Sequence, residues 1–174
     1  MMNDHISNST ESYTCKLCLS FSKKSEVIFT RNNYKLIKCK SCSLIYVGNQ
    51  PSEKDLKKYY SFESNYHTKY KEKEIDSERF FRANMPLFNY LSKYKTKGRI
   101  LEVGCSAGFF LQIAQKNGWE VFGIELSKDT SEIARDRYGL NVLTGQLEKD
   151  TYPPSYFDAV VMWDAIEHLR NPVE

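Results

Sequence analysis

Short apolar runs alternate with segments of helical spacing through the second half of the chain. The apolar runs are rich in branched residues and predict buried strands at 99–103, 121–124, 142–144 and 157–162. The segments between them predict helices at 109–116 and, with Ser127 as the N-cap, at 128–138. This alternation predicts an α/β fold with a Rossmann-like, doubly wound, mostly parallel sheet, which binds its ligand at the carboxyl ends of the strands.

The first half of the chain has a different pattern. Residues 77–94 carry apolar side chains at helical spacing and predict a helix that packs on the sheet, whereas 25–30, 34–38 and 44–47 predict short strands. We divide the chain into a disordered lead-in at 1–12, a small cysteine-bearing domain at 13–50, a helical connector at 51–96 and the α/β domain at 97–174. The connector is rich in lysine and in aromatic residues that we expect in the core; stacking on single-stranded nucleic acid is the alternative.

Composition excludes a membrane-spanning class and leaves the choice of partner open. The hydrophobic fraction of 41% can build a core, but no run reaches the roughly 18 apolar residues that span a bilayer, and the N-terminus lacks a signal-peptide core. We therefore expect a cytoplasmic protein. Residues 1–98 carry 18 Lys+Arg and 10 Asp+Glu, whereas residues 99–174 carry 7 and 12. The basic half permits an anionic partner such as nucleic acid or a phosphorylated substrate, unless it is only a solvated lysine surface.

Four cysteines form two matched pairs, Cys15-x2-Cys18 and Cys39-x2-Cys42. Two such pairs predict a tetrahedral zinc site, which makes the domain at 13–50 a small zinc ribbon. Two disulfides would require an oxidising compartment, and a redox pair would need only one of the motifs. A site closed by four thiolates has no open position, so we expect the zinc to fold the ribbon and not to catalyse.

The turn after the first strand of the α/β domain carries candidate cofactor chemistry. Gly104 and Gly108 bound a tight loop, and Glu125 ends the next strand 23 residues after Glu102. At this spacing a carboxylate can accept both ribose hydroxyls of an adenosine. The loop reads G-x-x-x-G and not the dinucleotide fingerprint G-x-G-x-x-G. The acid at Glu102 would repel a pyrophosphate but suits the ammonium of a methionine.

The sequence resembles class I S-adenosylmethionine-dependent methyltransferases of the bacterial group with an N-terminal zinc ribbon. The motifs that carry the resemblance are the cysteine pairs, LEVGCSAGFFL at 101–111, which follows Ile100, GWEVFGIELS at 118–127 and FDAVVMWDAIEHLRNP at 157–172. The resemblance implies that Glu102 and the loop hold the methionine end of the cofactor, that Glu125 holds the ribose and that Gln146 accepts a hydrogen bond from the adenine amine. The full set of implied cofactor contacts is Glu102, Gly104, Cys105, Ser106, Gly108, Glu125, Leu126, Gln146 and Trp163. From the residues themselves, Cys105 is expected to be a small buried filler and not a nucleophile.

Asp164, Glu167 and His168 follow the fourth strand and are expected to share one face of a helix that begins at Asp164. They have three interpretations. Asp164 can cap the helix while the others are structural, or His168 can act as a general base for the acceptor hydroxyl. By resemblance to other methyltransferases, the three side chains can instead bind a second divalent cation that lowers the pKa of the acceptor.

These features predict a methyltransferase that transfers to oxygen, with a small molecule or a sugar as the acceptor. An RNA-modifying methyltransferase is the alternative for the acceptor, and a non-catalytic binding or assembly protein is the alternative from another class. The family fold has seven strands, of which the chain carries the first four. We therefore expect a C-terminally truncated protein whose 174 residues do not turn over alone.

Overall fold

The computed structural model describes residues 10–59, 77–169 and 172–173. The chain divides into two compact units, Met1–Ser52 with Glu167–Glu174 and Glu53–Ile166. Among the described residues, no helix is both long and apolar enough to cross a membrane.

The first unit is built on a four-stranded antiparallel sheet in the order β1-β2-β3-β4. Its strands are β1 Thr10–Thr14, β2 Phe21–Arg31, β3 Tyr34–Lys38 and β4 Ile45–Val47. Asn32 and Asn33 join β2 to β3 with φ angles of 48° and 65°, the left-handed conformation that a two-residue hairpin turn requires. Val27 and Ile37 pair across these strands and are buried. So small a core leaves most of the stability of this unit to other interactions.

The strands differ in part from those that the sequence predicts. β3 has the predicted bounds, β4 begins one residue later, and β2 begins at Phe21 and not at 25. Residues 10–12 of β1 fall in the expected disordered lead-in, and they belong to the strand because Thr10 and Glu11 pair with Glu26 and Ser25 of β2. Residues 1–9 of the expected lead-in lie outside the described residues. The domain limits stay a prediction.

The second unit contains a four-stranded parallel sheet in the order β7-β6-β5-β8. The strands are β5 Arg99–Val103, β6 Glu120–Glu125, β7 Asn141–Thr144 and β8 Ala159–Val161. The helices are α1 Glu53–Tyr59, α2 Ser77–Leu91, α3 Phe109–Lys116 and α4 Lys128–Glu132, which continues as a π-helical turn at Ile133–Arg137. The predicted α/β fold with a parallel sheet is confirmed, and β5 and α3 have the predicted bounds.

One face of this sheet is covered, whereas the other is covered over its two central strands only: Val160 of β8 and Leu143 of β7 lie on that face and are 53% and 45% exposed. One face packs against α2 and α3 through Phe88, Leu91, Ile100, Phe110, Leu111, Ile113, Val121 and Val142. The other face, formed by Leu101, Val103, Phe122 and Ile124, is covered by Tyr152, Tyr156, Phe157 and Met162. The Phe122 ring lies 5.3 to 6.0 Å from the rings of the three aromatic residues among them. A loop rich in aromatics therefore covers the centre of the face where a doubly wound sheet ordinarily carries helices, and the outer strands keep exposed apolar residues there.

Gly123, in the middle of β6, tests the packing of the first face. A Cβ at this position would lie 2.6 Å from Cys105 Sγ and 2.9 Å from both Leu111 Cδ1 and Val142 Cγ2. We expect Gly123→Ala to lower the free energy of unfolding by about 1–3 kcal/mol, the usual cost of overpacking a core. Urea unfolding followed by circular dichroism measures this. The exposed substitution Gln115→Ala is the control and should stay within about 0.5 kcal/mol of wild type; equal effects of the two would contradict the packing.

Candidate cofactor site and metal centre

The glycine loop is a tight turn between β5 and α3. The Ile124 carbonyl accepts hydrogen bonds from the N–H groups of Gly104 (2.8 Å) and Cys105 (3.2 Å), and the Gly108 N–H donates to the Cys105 carbonyl (2.9 Å). Gly104 and Gly108 have φ angles of 79° and 77°, in the left-handed region. A Cβ on Gly108 would collide with Leu140 Cδ1. The second glycine is thus required by packing within the protein, as well as by any ligand that approaches the loop.

The Glu125 carboxylate joins this loop to the start of α4. It accepts hydrogen bonds from the backbone N–H groups of Ser106 (2.8 Å) and Ser127 (2.7 Å), one on each oxygen. The Ser127 hydroxyl accepts the Thr130 N–H at 3.5 Å, which confirms Ser127 as the N-cap. A carboxylate offers about four lone-pair positions. Glu125 could therefore accept two further donors, such as the two hydroxyls of a ribose.

Glu102 is a buried carboxyl group with an unsatisfied oxygen. Only 5% of the residue is exposed, and Oε2 has no hydrogen-bond partner. Burial and, secondarily, the negative charge of Glu125 hold the pKa of Glu102 well above its usual range. An ionised carboxylate is costly in such surroundings unless a cation or donor reaches it. The residue fits a positively charged group such as the ammonium of a methionine.

The other predicted contacts lie at the same edge of the sheet, where the strands end. Leu126 follows β6, and Gln146 follows β7 and is exposed. Trp163 follows β8, its ring centroid lies 5.6 Å from that of Phe110, and its buried Nε1 has no partner. Because parallel strands present their carboxyl ends together, the structure brings these residues to the edge that carries the glycine loop.

Cys105 is buried within the loop. Burial raises the pKa of its thiol well above the usual value, and the charges of Glu102 and Glu125 raise it further. A thiol that stays protonated is a poor nucleophile. These surroundings support the prediction that Cys105 is a filler.

Asp164, Glu167 and His168 do not lie on one regular helix. Asp164 has a φ of 50°, in the left-handed region, and only Ile166–His168 forms a helical turn, of the 3-10 type. The prediction of a helix that begins at Asp164 is therefore wrong, because Asp164 has a left-handed backbone conformation and an α-helix is right-handed. All three side chains are exposed. In the part of the chain that the structure describes, they do not form a group of converging metal ligands.

The four paired cysteines do converge. Their Sγ atoms all lie within 4.8 Å of one another, with Cys15 to Cys42 and Cys18 to Cys39 each at 3.6 Å. A tetrahedral zinc ion with zinc–sulfur bonds of about 2.3 Å separates its sulfurs by about 3.8 Å. The geometry therefore fits one zinc ion held by four thiolates.

The two cysteine turns have the same backbone structure. In each, the N–H of the first cysteine donates to a carbonyl five residues later (3.0 and 2.8 Å), and its carbonyl accepts the N–H four residues later (3.1 and 2.9 Å). Leu19 and Ser43, which follow the second cysteines, have φ angles of 56° and 63°. Glycine is usual in this conformation. Because leucine and serine stand here instead, the sequence does not indicate the left-handed backbone.

The charges within the cluster favour a cation. The Cys42 backbone N–H and the Ser20 hydroxyl lower the pKa of Cys39 to about 6. At Cys42 the Leu44 backbone N–H lowers the pKa, but burial and the neighbouring cysteines outweigh it and raise the pKa to about 12. One thiolate therefore forms readily while its charge opposes the next, and a dication would relieve this repulsion. Ser20 is a contributor that the sequence analysis missed.

Comparisons with known proteins agree with this geometry. Residues 75–174 match the family model described as a methyltransferase domain. Over 80 residues the chain is 34% identical to the ubiquinone biosynthesis O-methyltransferase of Azoarcus sp. (strain BH72), which covers 42% of this chain and 34% of that protein. The chain thus spans about a third of the length of the curated relative that it matches.

Two solved structures are also similar. Magnesium protoporphyrin IX methyltransferase from Synechocystis PCC 6803, solved with bound S-adenosylmethionine, has a TM-score of 0.51 at 15% identity, over 70% of this chain and 66% of that one. At this identity the likeness concerns the fold alone. The PH0226 protein from Pyrococcus horikoshii OT3 has a TM-score of 0.45 at 27% identity, over 50% and 44% of the two chains.

Replacing the buried Glu102 tests the electrostatics of the site. Because the pKa of Glu102 is raised in the folded state, its contribution to stability is full below the usual carboxyl pKa of about 4. The contribution is lost as the pH rises through the raised pKa. We expect Glu102→Gln to stabilise the ligand-free chain by about 1–3 kcal/mol near neutral pH and to have little effect near pH 4. Urea unfolding over this pH range measures the effect. Glu120→Gln, an exposed carboxylate at the start of β6, is the control; a Glu102→Gln effect that does not vary with pH would contradict the assignment.

The cysteine cluster predicts one zinc ion per chain, measured by mass spectrometry of the purified protein. Cys39→Ser should lose most of the zinc and lower the thermal stability of the first unit, because metal binding and folding are coupled. The matched control is Cys105→Ser, which removes the cysteine outside the cluster and should leave the zinc content unchanged. A wild-type protein that is purified without zinc and is no more stable than Cys39→Ser would rule out the metal centre.

Proposed function

This chain belongs to the methyltransferase family whose domain model it matches over residues 75–174, and on that premise we propose that it binds S-adenosylmethionine at the glycine-loop edge of its parallel sheet. We further propose that the protein transfers the methyl group to a hydroxyl oxygen of a small molecule or sugar. The observation that carries the proposal is the pair of carboxylates beside the loop. Glu102 has an oxygen without a partner, and Glu125 has two acceptor positions left.

The two carboxylates divide the recognition of the cofactor between them. Glu102 attracts the ammonium of the methionine moiety, which supplies the charge that its burial otherwise leaves unbalanced. Glu125 accepts the ribose hydroxyls, while the backbone N–H groups that it already binds keep its oxygens in place. Gln146 accepts a hydrogen bond from the adenine amine, and Leu126 and Trp163 contribute apolar contacts. Backbone groups of the loop at Gly104, Cys105, Ser106 and Gly108 complete the site.

When bound, S-adenosylmethionine supplies an electrophilic methyl group. The residues of the chain would act by fixing the cofactor and by excluding other orientations, since most of the gain in such a transfer comes from positioning. His168 is our candidate for the base that takes the proton of the acceptor hydroxyl, because histidine is the side chain that most often serves as a general base. Asp164 and Glu167 are the other two candidate catalytic residues. We assign no second cation to these three residues, because the four cysteines are the only converging ligand group in the described part of the chain.

The acceptor class rests on similarity. The relative from Azoarcus acts, by its name, as an O-methyltransferase in ubiquinone biosynthesis, which supports a small hydroxylated acceptor for this protein. We propose that the zinc ion folds the ribbon, since a closed four-thiolate centre has a structural role.

Binding of S-adenosylhomocysteine, measured by titration calorimetry, tests the cofactor site. We expect the wild-type chain to bind it and Glu125→Ala to weaken binding by about 10- to 100-fold, the effect of losing charged hydrogen bonds. Glu120→Ala removes an exposed acid at the other end of the same strand and should bind as wild type does. Circular dichroism must show all three to be folded.

Absence of binding by the folded wild type would favour a non-catalytic role. Transfer of labelled methyl groups to RNA, and not to phenols or sugars, would replace the small-molecule acceptor with a nucleic acid.

A further inference from the structure

Arg135 makes a fixed set of contacts at the end of β7. It lies in the π-helical turn Ile133–Arg137, and its Nη1 donates to the Val142 carbonyl (2.9 Å) and to the Thr144 hydroxyl (3.0 Å). The Thr144 hydroxyl also lies 2.6 Å from the hydroxyl of Ser131, a residue that is fully buried in α4. The last residues of β7 are thereby held to the helical segment on that side of the sheet.

The position of β7 explains why an arginine stands here. β7 lies at the edge of the sheet in the described part of the chain, and its Val142 carbonyl accepts a hydrogen bond from the Arg135 side chain. A guanidinium can serve the carbonyl and the hydroxyl with one planar group, whereas a lysine ammonium lacks this fixed geometry. A π-helical turn is rare and often marks a functional position.

The contacts continue from Thr144 into the loop that carries Gln146. Thr144 pairs in register with Glu125, and the next residue, Gly145, donates its N–H to the Glu125 carbonyl (2.8 Å). Thr144 is thus held from one side by Arg135 and Ser131, and Gly145 is held from the other side by β6. Gln146 leaves the sheet one residue later, at a defined distance from Glu125.

We propose that Arg135 is a positioning residue for the adenine side of the cofactor site and acts through Thr144 on Gln146. The inference rests on the proposed function. It has a physical reason in the amide of Gln146: a neutral hydrogen bond depends steeply on distance and angle, whereas a carboxylate at the same position would attract the amine over a longer range. An uncharged acceptor therefore needs a loop that is fixed in place.

The test compares two ligands that differ only in the base. The affinities of the 174-residue chain for S-adenosylhomocysteine and for its analogue with unsubstituted purine in place of adenine are measured by calorimetry, because the purine ligand has no amine or carbonyl group that the Gln146 amide could bind. We expect the wild type to prefer the adenosyl ligand by about three- to tenfold, the factor of one neutral hydrogen bond. Arg135→Met and Thr144→Val should bring this ratio close to one, as should Gln146→Ala, and the double variant Arg135→Met/Gln146→Ala should lower it no further. Arg137→Met, in the same π-helical turn but over the Tyr138 ring, is the control and should keep the wild-type ratio.

The ratio separates positioning from general stabilisation, since a loss of structure alone would weaken both ligands equally. Arg135→Met variants that keep the wild-type ratio, while Gln146→Ala loses it, would overturn the inference and leave the proposed function intact. A Gln146→Ala variant that keeps the ratio would also overturn it. A folded wild type that binds neither ligand would overturn the proposed function and this inference with it.

Discussion

The Glu125 carboxylate and its two backbone donors hold the candidate cofactor site together. One oxygen binds the N–H of Ser106 in the glycine loop, and the other binds the N–H of Ser127 at the start of α4. N–H groups in a tight loop and at a helix start have no partner within their own segment. The buried carboxylate at the end of β6 accepts both N–H groups. The positions of the glycine loop and of the start of α4 therefore depend on one side chain. The Glu125 carbonyl extends this dependence to β7 through Gly145.

The same arrangement places two carboxyl groups close together in a buried region. Glu102 and Glu125 are 5% and 8% exposed, and the charge of Glu125 contributes to the raised pKa of Glu102. A sequence selected only for stability would replace Glu102 by an apolar residue. Local conflicts of this kind are typical of binding sites, where the ligand supplies the missing partner. The unsatisfied oxygen is thus a better indicator of a ligand than the glycines, which the packing of Leu140 explains in part.

The stability of the first unit is limited by the small size of its core. Val27 and Ile37 are its buried aliphatic residues among those described, together with Cys15 and Cys39 of the cluster. Four converging cysteines would repel one another as thiolates. A bound zinc ion would neutralise this repulsion, and the zinc–sulfur bonds would become the main stabilising interaction of the unit. In the two turns that present the cysteines, Leu19 and Ser43 have the left-handed backbone conformation.

Elements and motifs that depend on local pattern can be predicted from the amino-acid order. These are the bounds of β5 and α3, the N-cap at Ser127, the two cysteine pairs and the parallel pairing of the strands. Features that depend on contacts between distant residues are visible only in the folded chain. Pairing with β2 makes Thr10–Thr14 a strand. The left-handed backbone of Asp164 excludes this residue from a regular helix. Contacts between distant residues also give Glu125 its donors and join Arg135 to Thr144. Periodicity records which face of a segment is buried, but it carries no information about which polar group lies opposite.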